Sequence, residues 1–196
     1  VVAVAMWAAL AVAPAAAGAA VGDLTGAGCV QDVRMVVVCD AQQHGLDAVS
    51  SVAVSPDGRS LYATSGGDGA IVAFGRDAAG ALAPAGCIED VGRTGCGAEQ
   101  QGLGGTQGAH GLAAAADGRA VFVASIVDHA LVAFDRAASG ELGGGVCIQD
   151  VGLSDCASSA QGLDGAYGIS SRGFQPVVAG AGQNPSVPGD ARGNVG

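Results

Sequence analysis

One block of this chain recurs at a nearly fixed distance, and that period constrains the fold more than any single residue. Gly28-Cys29-Val30-Gln31-Asp32 returns as Gly86-Cys87-Ile88-Glu89-Asp90 and again as Val146-Cys147-Ile148-Gln149-Asp150. The second block starts 58 residues after the first (Cys29 to Cys87) and the third another 60 on (Cys87 to Cys147). A second cysteine follows each first one, at Cys39, Cys96 and Cys156, and then a Gly-Leu pair, Gly45-Leu46, Gly102-Leu103 and Gly162-Leu163. Between these marks lie Asp57-Gly58-Arg59 and Asp117-Gly118-Arg119, then Ala73-Phe74 with Arg76 against Ala133-Phe134 with Arg136. A period of this size signals a repeat architecture.

The 196 residues suit one domain of ordinary size. Gly and Ala dominate, and all eight basic residues are arginine. A net charge of −10 argues against a nucleic-acid partner, because phosphate binding needs a positive footprint. The acidic balance fits a soluble, self-repelling surface.

Val1 to Val21 carries no charge and is long enough to cross a bilayer. It ends in Pro14 and small residues with A-x-A sites at Ala15-Ala16-Ala17 and Ala17-Gly18-Ala19, the pattern that closes a secretory signal peptide. The basic leader and an initial Met are missing. Residues 1–22 are therefore read as a signal peptide, with an uncleaved anchor as the alternative, and a membrane would be met only through that segment. Either reading places the rest outside the cytoplasm.

The six cysteines agree. The pairs Cys29/Cys39, Cys87/Cys96 and Cys147/Cys156 keep nearly constant spacing, which in an exported chain reads as one disulfide per repeat. Each would close a short loop, worth about 2.5–3 kcal/mol in the chain-entropy model before strain. Zinc is the weaker reading, since zinc knuckles space paired cysteines by about two to four residues and the histidines do not follow the repeat.

From Val49 to Asp90 the chain reads as four short strands. Ser51 to Val54 precedes the turn Ser55-Pro56-Asp57-Gly58, Leu61 to Thr64 precedes Gly66 to Gly69, Ala70 to Phe74 is third, and Ala81 to Ile88 fourth. The next repeat matches with His110 to Ala115, Ala120 to Ile126, Ala130 to Phe134 and Glu141 to Ile148. Four short antiparallel strands with tight turns make a β-propeller blade. The fold class expected is all-β, a partial propeller of two complete blades plus a lone N-terminal closing strand. A TIM-type or Rossmann fold fails, because no stretch between strands has a helical apolar period.

Ser55-Pro56-Asp57-Gly58-Arg59-Ser60-Leu61-Tyr62-Ala63-Thr64 resembles the signature of YVTN-type and lactonase-like propellers. The Cys-Ile-x-Asp…Cys segment resembles a secreted bacterial subset of them. The resemblance spans about residues 23–170. The second blade departs at Ala115-Ala116, where Ser-Pro is lost. The organisation implied is 1–22 signal or anchor, 23–48 closing strand and first disulfide loop, 49–108 and 109–166 blades, and 167–196 a broken repeat with a disordered tail. Since a closed propeller holds about four to eight blades, the chain is expected to be the N-terminal part of a longer protein, marginally folded or self-associating when expressed alone.

His110 opens a first strand and His129 sits in a turn between strands two and three, which makes them the most tempting catalytic residues. No Ser-His-Asp or metal triad can be assembled around them, and a lone His is more often a surface or capping residue, His44 especially. Asp32, Asp90 and Asp150 recur in every repeat. They are read as fixing the disulfide loop through backbone hydrogen bonds rather than as calcium ligands; Asp57 and Asp117 are read the same way. Gly102-Leu103-Gly104-Gly105 and Gly143-Gly144-Gly145 lack the Lys-Ser/Thr and helix of a phosphate loop. The functional expectation is a secreted, disulfide-stapled module that binds an extracellular ligand or protein or acts as a scaffold, with no cofactor or metal. The resemblance alone implies the other reading, hydrolysis of a sugar lactone, with catalytic residues unknown.

Overall fold

The computed structural model describes residues 28–36, 38–104, 108–172 and 175–180, and within them the chain is all-β. The apolar segment 1–22 read as a signal or anchor lies outside these residues, as does the end of the tail beyond 180. Among the described residues no helix is long and apolar enough to cross a membrane.

β1 (Val30–Asp32) pairs in parallel with β2 (Ala41–Gln43). Blade one is β3 (Val49–Val54), β4 (Ser60–Ser65), β5 (Ala70–Arg76) and β6 (Leu82–Glu89), each antiparallel to the next. A fifth strand, β7 (Ala98–Glu99), adds to β6 in parallel. Blade two repeats the pattern with β8 (Ala109–Ala114), β9 (Ala120–Ser125), β10 (Ala130–Arg136), β11 (Leu142–Asp150) and the parallel β12 (Ser158–Ala160). β13 (Ala166–Arg172) then forms a hairpin with β14 (Gln175–Gly180). Val177 and Val178 in β14 are β-branched residues that suit a strand.

The turn Ser55 to Gly58 closes as its residue types dictate. Gly58 takes φ +70° and its N–H donates to Ser55 O at 2.8 Å, while Asp57 Oδ1 accepts from Arg59 N–H at 3.0 Å. Blade two keeps the geometry without Ser-Pro. Gly118 N–H donates to Ala115 O at 2.9 Å, and Asp117 Oδ1 accepts from Arg119 N–H at 3.0 Å. Asp and Gly therefore suffice for the turn.

Period-two alternation decides which side chains meet between the blades. Tyr62, Ile71, Ala73 and Ile88 of blade one share a buried cluster with Leu112, Val121, Val123, Val132 and Phe134 of blade two. The intervening residues Ala63, Val72 and Phe74 face the other way, onto Val30 of β1 and Leu46. The first strands lie side by side, β3 against β8 and β8 against β13, so they form the inner edge around which the blades turn.

Candidate binding site on the inner strands

The disulfide loops come first, because they set where each inner strand starts. Cys29–Cys39, Cys87–Cys96 and Cys147–Cys156 are bonded, with Cα atoms 5.0, 5.1 and 5.2 Å apart. Two polar residues next to each first cysteine hold the loop. Gln31 Oε1 and Glu89 Oε1 accept from the N–H of Cys39 and Cys96, both at 2.8 Å, and Gln149 Oε1 accepts from Cys156 N–H. The recurrent aspartates hold the Gly-Leu pair: Leu46 N–H donates to Asp32 Oδ2 at 3.2 Å, Leu103 N–H to Asp90 Oδ1 at 3.2 Å, and Leu163 N–H to Asp150 Oδ1 at 3.0 Å. Each loop is thus pinned at both ends and delivers its leucine toward the core.

A second layer of acids sits in the β4–β5 and β9–β10 turns. Asp68 Oδ2 accepts from Asp47 N–H at 3.0 Å, and Asp128 Oδ2 accepts from Gly104 N–H at 2.6 Å. Arg34 bridges Asp32 and Asp68 at the first junction. Its guanidinium holds the Asp32 carboxyl down at about 2. At the second junction burial pushes the Asp90 carboxyl up, and the nearby Asp128 charge adds to that.

Each inner strand leaves its loop with a bulge at the same place. The register slips between Val49 and Ser51, between Ala109 and Gly111, and between Ala166 and Gly168. The bulged residues are Ser50, His110 and Tyr167, three different side chains at one repeat position. Bulges re-aim a side chain and gather next to functional sites.

The neighbours fix this row of residues. Ser50 Oγ donates to Ala109 O at 3.0 Å, and Thr64 Oγ1 to His110 O at 2.9 Å, tying β8 to blade one. On the other side Gly111 lets β13 approach, since a Cβ there would stand 2.6 Å from Tyr167 O. The His110 and Tyr167 rings meet with centroids 4.1 Å apart and planes 34° apart, and Tyr167 is 51% exposed. The pair makes an aromatic shelf on a clamped backbone.

The other histidines are not part of it. His129 takes φ +49° in the β9–β10 turn, and its Nδ1 lies 2.8 Å from Gly165 N and 2.9 Å from Asp164 Oδ1, a capping arrangement on the β13 loop. His44 is exposed in the loop before β3. Sequence reasoning picked out His110 but missed Ser50 and Tyr167. Aligning Ala109-His110-Gly111-Leu112 with Ala166-Tyr167-Gly168-Ile169 would have found Tyr167. Among the described residues no three of His, Cys, Asp and Glu converge as a metal site.

No protein-family model matches the sequence, and no curated protein matches it. Solved structures do. A periplasmic gluconolactonase from Pseudomonas aeruginosa is 28% identical over 53% of this chain and 27% of its own, with a TM-score of 0.42. The β-propeller domain of Cps50 (Swd1) from Myceliophteria thermophila is 16% identical over 68% of this chain and 35% of its own, with a TM-score of 0.44. The chain therefore spans about a quarter to a third of the length of these structures. At these scores no role passes from either protein to this chain.

Proposed function

We propose that this chain is part of an exported, disulfide-stapled β-propeller binding module, with its ligand held at the inner-strand bulges. The observation that carries the reading is the bulge position itself. There every repeat keeps the backbone bulge and changes the side chain, to Ser50, His110 and Tyr167. Asp32, Asp90 and Asp150, which pin the disulfide loops, do not vary.

The ligand class follows from the chemistry. A half-exposed aromatic pair favours a ring with an apolar face, and a net charge of −10 disfavours anions. An uncharged sugar ring fits, stacked on His110 and Tyr167 and offering hydroxyls to the acidic loops that lead into β3 and β13. The three disulfides are consistent with an extracellular setting. Lactone hydrolysis finds less support. Among the described residues the His110 ring meets Tyr167 and no carboxylate that would orient it as a base.

Titration calorimetry of the oxidised full chain with glucose, galactose and mannose tests the reading. Saturable binding of at least one sugar, weakened ten-fold or more by His110→Ala, is the expected result. Turnover of glucono-1,5-lactone that depends on His110 would favour the hydrolase. Absence of both effects would remove the function from this site.

A further inference from the structure

His129 breaks the repeat at the turn it occupies. Its counterpart in blade one is Gly69, with φ +58°, where a Cβ would stand 2.6 Å from Leu103 O. His129 keeps the left-handed φ, at +49°, yet carries a full ring there. A non-glycine residue in that region is strained, and such strain gathers at clamps and switches.

The ring nitrogen Nδ1 faces two partners that it cannot serve together. Gly165 N–H donates to it at 2.8 Å, which requires a lone pair on Nδ1. Asp164 Oδ1 lies 2.9 Å from the same atom, which suits only an Nδ1 that carries hydrogen. The other acids on the adjoining elements have backbone partners of their own. Asp128 Oδ2 accepts from Gly104 N–H and Asp150 Oδ1 from Leu163 N–H, while His129 O accepts from Asp150 N–H at 2.8 Å. The His129 and Asp164 side chains are 37% and 33% exposed, so both exchange protons with water.

We propose that His129 is a pH-set positioning residue for the aromatic shelf of His110 and Tyr167. In its neutral form the ring carries hydrogen on Nε2 and holds Gly165 through the bare Nδ1. A proton taken from water onto Nδ1 makes that atom a donor to Asp164 and releases Gly165. Gly165 stands two residues before Tyr167, at the entry to the bulge that aims it. The far end of β13 is tied separately, by Ser171 Oγ donating to Ala114 O at 2.6 Å. Release therefore frees the start of the strand and loosens Tyr167 from His110, whose ring centroid lies 4.1 Å away in the held form. As a control of ligand affinity this rests on the shelf being the binding site; as a movement of β13 it does not.

The test is NMR of the oxidised full chain without ligand, from about pH 8 to about pH 5, a range that spans the ordinary imidazole value of about 6.5. As the His129 ring titrates, the Gly165 amide should lose about ten-fold in protection, corrected for the intrinsic exchange rate. The NOE between the His110 and Tyr167 rings should weaken at the same midpoint. His129→Asn keeps an uncharged acceptor near the Nδ1 position and suits a left-handed φ. It should hold Gly165 protected and the NOE constant across the range. His129→Gly, the blade-one residue, should leave Gly165 unprotected throughout. A wild-type Gly165 amide already unprotected at the alkaline end, or still protected at the acid end, would overturn the proposal. A pH response that survives in His129→Asn would also overturn it, by assigning the change to His110, the titrating ring on the shelf itself. These signals need no sugar, so calorimetry that finds no ligand strikes the reading of the shelf and not this one.

Discussion

Arg34 donates through Nη2 to Asp68 Oδ1 at 2.6 Å, and among the described residues no arginine does the same for Asp128, which occupies the equivalent turn of blade two. Gly92 stands at the place of Arg34, and Arg93 turns toward Gly67 O instead. The same carboxylate is therefore neutralised at one junction and left facing Asp90 at the next.

Opposite signs follow for one substitution. Asp68→Asn should destabilise the protein by about 1–2 kcal/mol at pH 7, because it strands an arginine bridge. Asp128→Asn keeps an acceptor for Gly104 N–H and removes a like charge, so it should stabilise by about 0.5–1 kcal/mol. The Asp90 carboxyl is raised in the folded state, so its ionisation opposes folding once the pH passes the ordinary carboxylate range. The Asp128→Asn gain should accordingly be present at pH 7 and vanish at pH 3, read by urea unfolding at both.

Asp32 titrates with the opposite sense. Its folded pKa of about 2 lies below the unfolded value, so its stabilisation is complete above about pH 4 and is lost as the pH falls toward 2. With Arg34 half exposed, solvent screening limits the effect to about 1–2 kcal/mol. Unfolding of wild type and Asp32→Asn across that range should converge at the acid end. A gap that persists at pH 2 would show that the charge is not what Asp32 contributes.

The Gly-Leu pairs make a graded prediction. Gly102 has φ +93°, and a Cβ on it would stand 2.5 Å from Cys147 Sγ and 3.1 Å from Val132 Cγ2. Gly162 has φ +87° with nothing within 4 Å. Gly162→Ala should cost about 1 kcal/mol from backbone strain alone, and Gly102→Ala about 2–4 kcal/mol because the next blade's cysteine must also move. Equal costs in thermal melts would show that close approach to the cysteine is not the reason for the glycine.

Each disulfide closes a loop of nine or ten residues, so reduction should destabilise the chain by about 2–3 kcal/mol per bond. Non-reducing peptide mapping should recover Cys29 with Cys39, Cys87 with Cys96, and Cys147 with Cys156. A cross-repeat peptide would contradict the fold itself, because the loops lie in different sheets.

Legibility in the sequence tracked how locally each feature is encoded. The four long strands of each blade were readable because Gly, Pro and Asp bound short apolar runs, and their observed ends differ by one or two residues. The parallel fifth strands were not. Ala98-Glu99 and Ser158-Ser159-Ala160 are too short and exposed to carry an alternating pattern, and they form because the disulfide folds them onto β6 and β11. The roles of Gln31, Glu89 and Gln149 were equally hidden, since an amide and a carboxylate differ in charge but share the acceptor that the loop needs. Arg34 and Arg136 act across junctions, 34 and 79 residues from Asp68 and Asp57, beyond the reach of local pattern.

The central claim is that the inner-strand bulges present a binding shelf, and NMR of the His110 imidazole tests it most directly. In the oxidised full chain, titration with the sugar that calorimetry selects should move the His110 ring signals saturably and leave those of His44 in place. Tyr167→Ala should weaken that response ten-fold or more, with the amide spectrum of β8 and β9 otherwise retained. A His110 signal that stays fixed through the titration, or a response indifferent to Tyr167→Ala, would contradict the account.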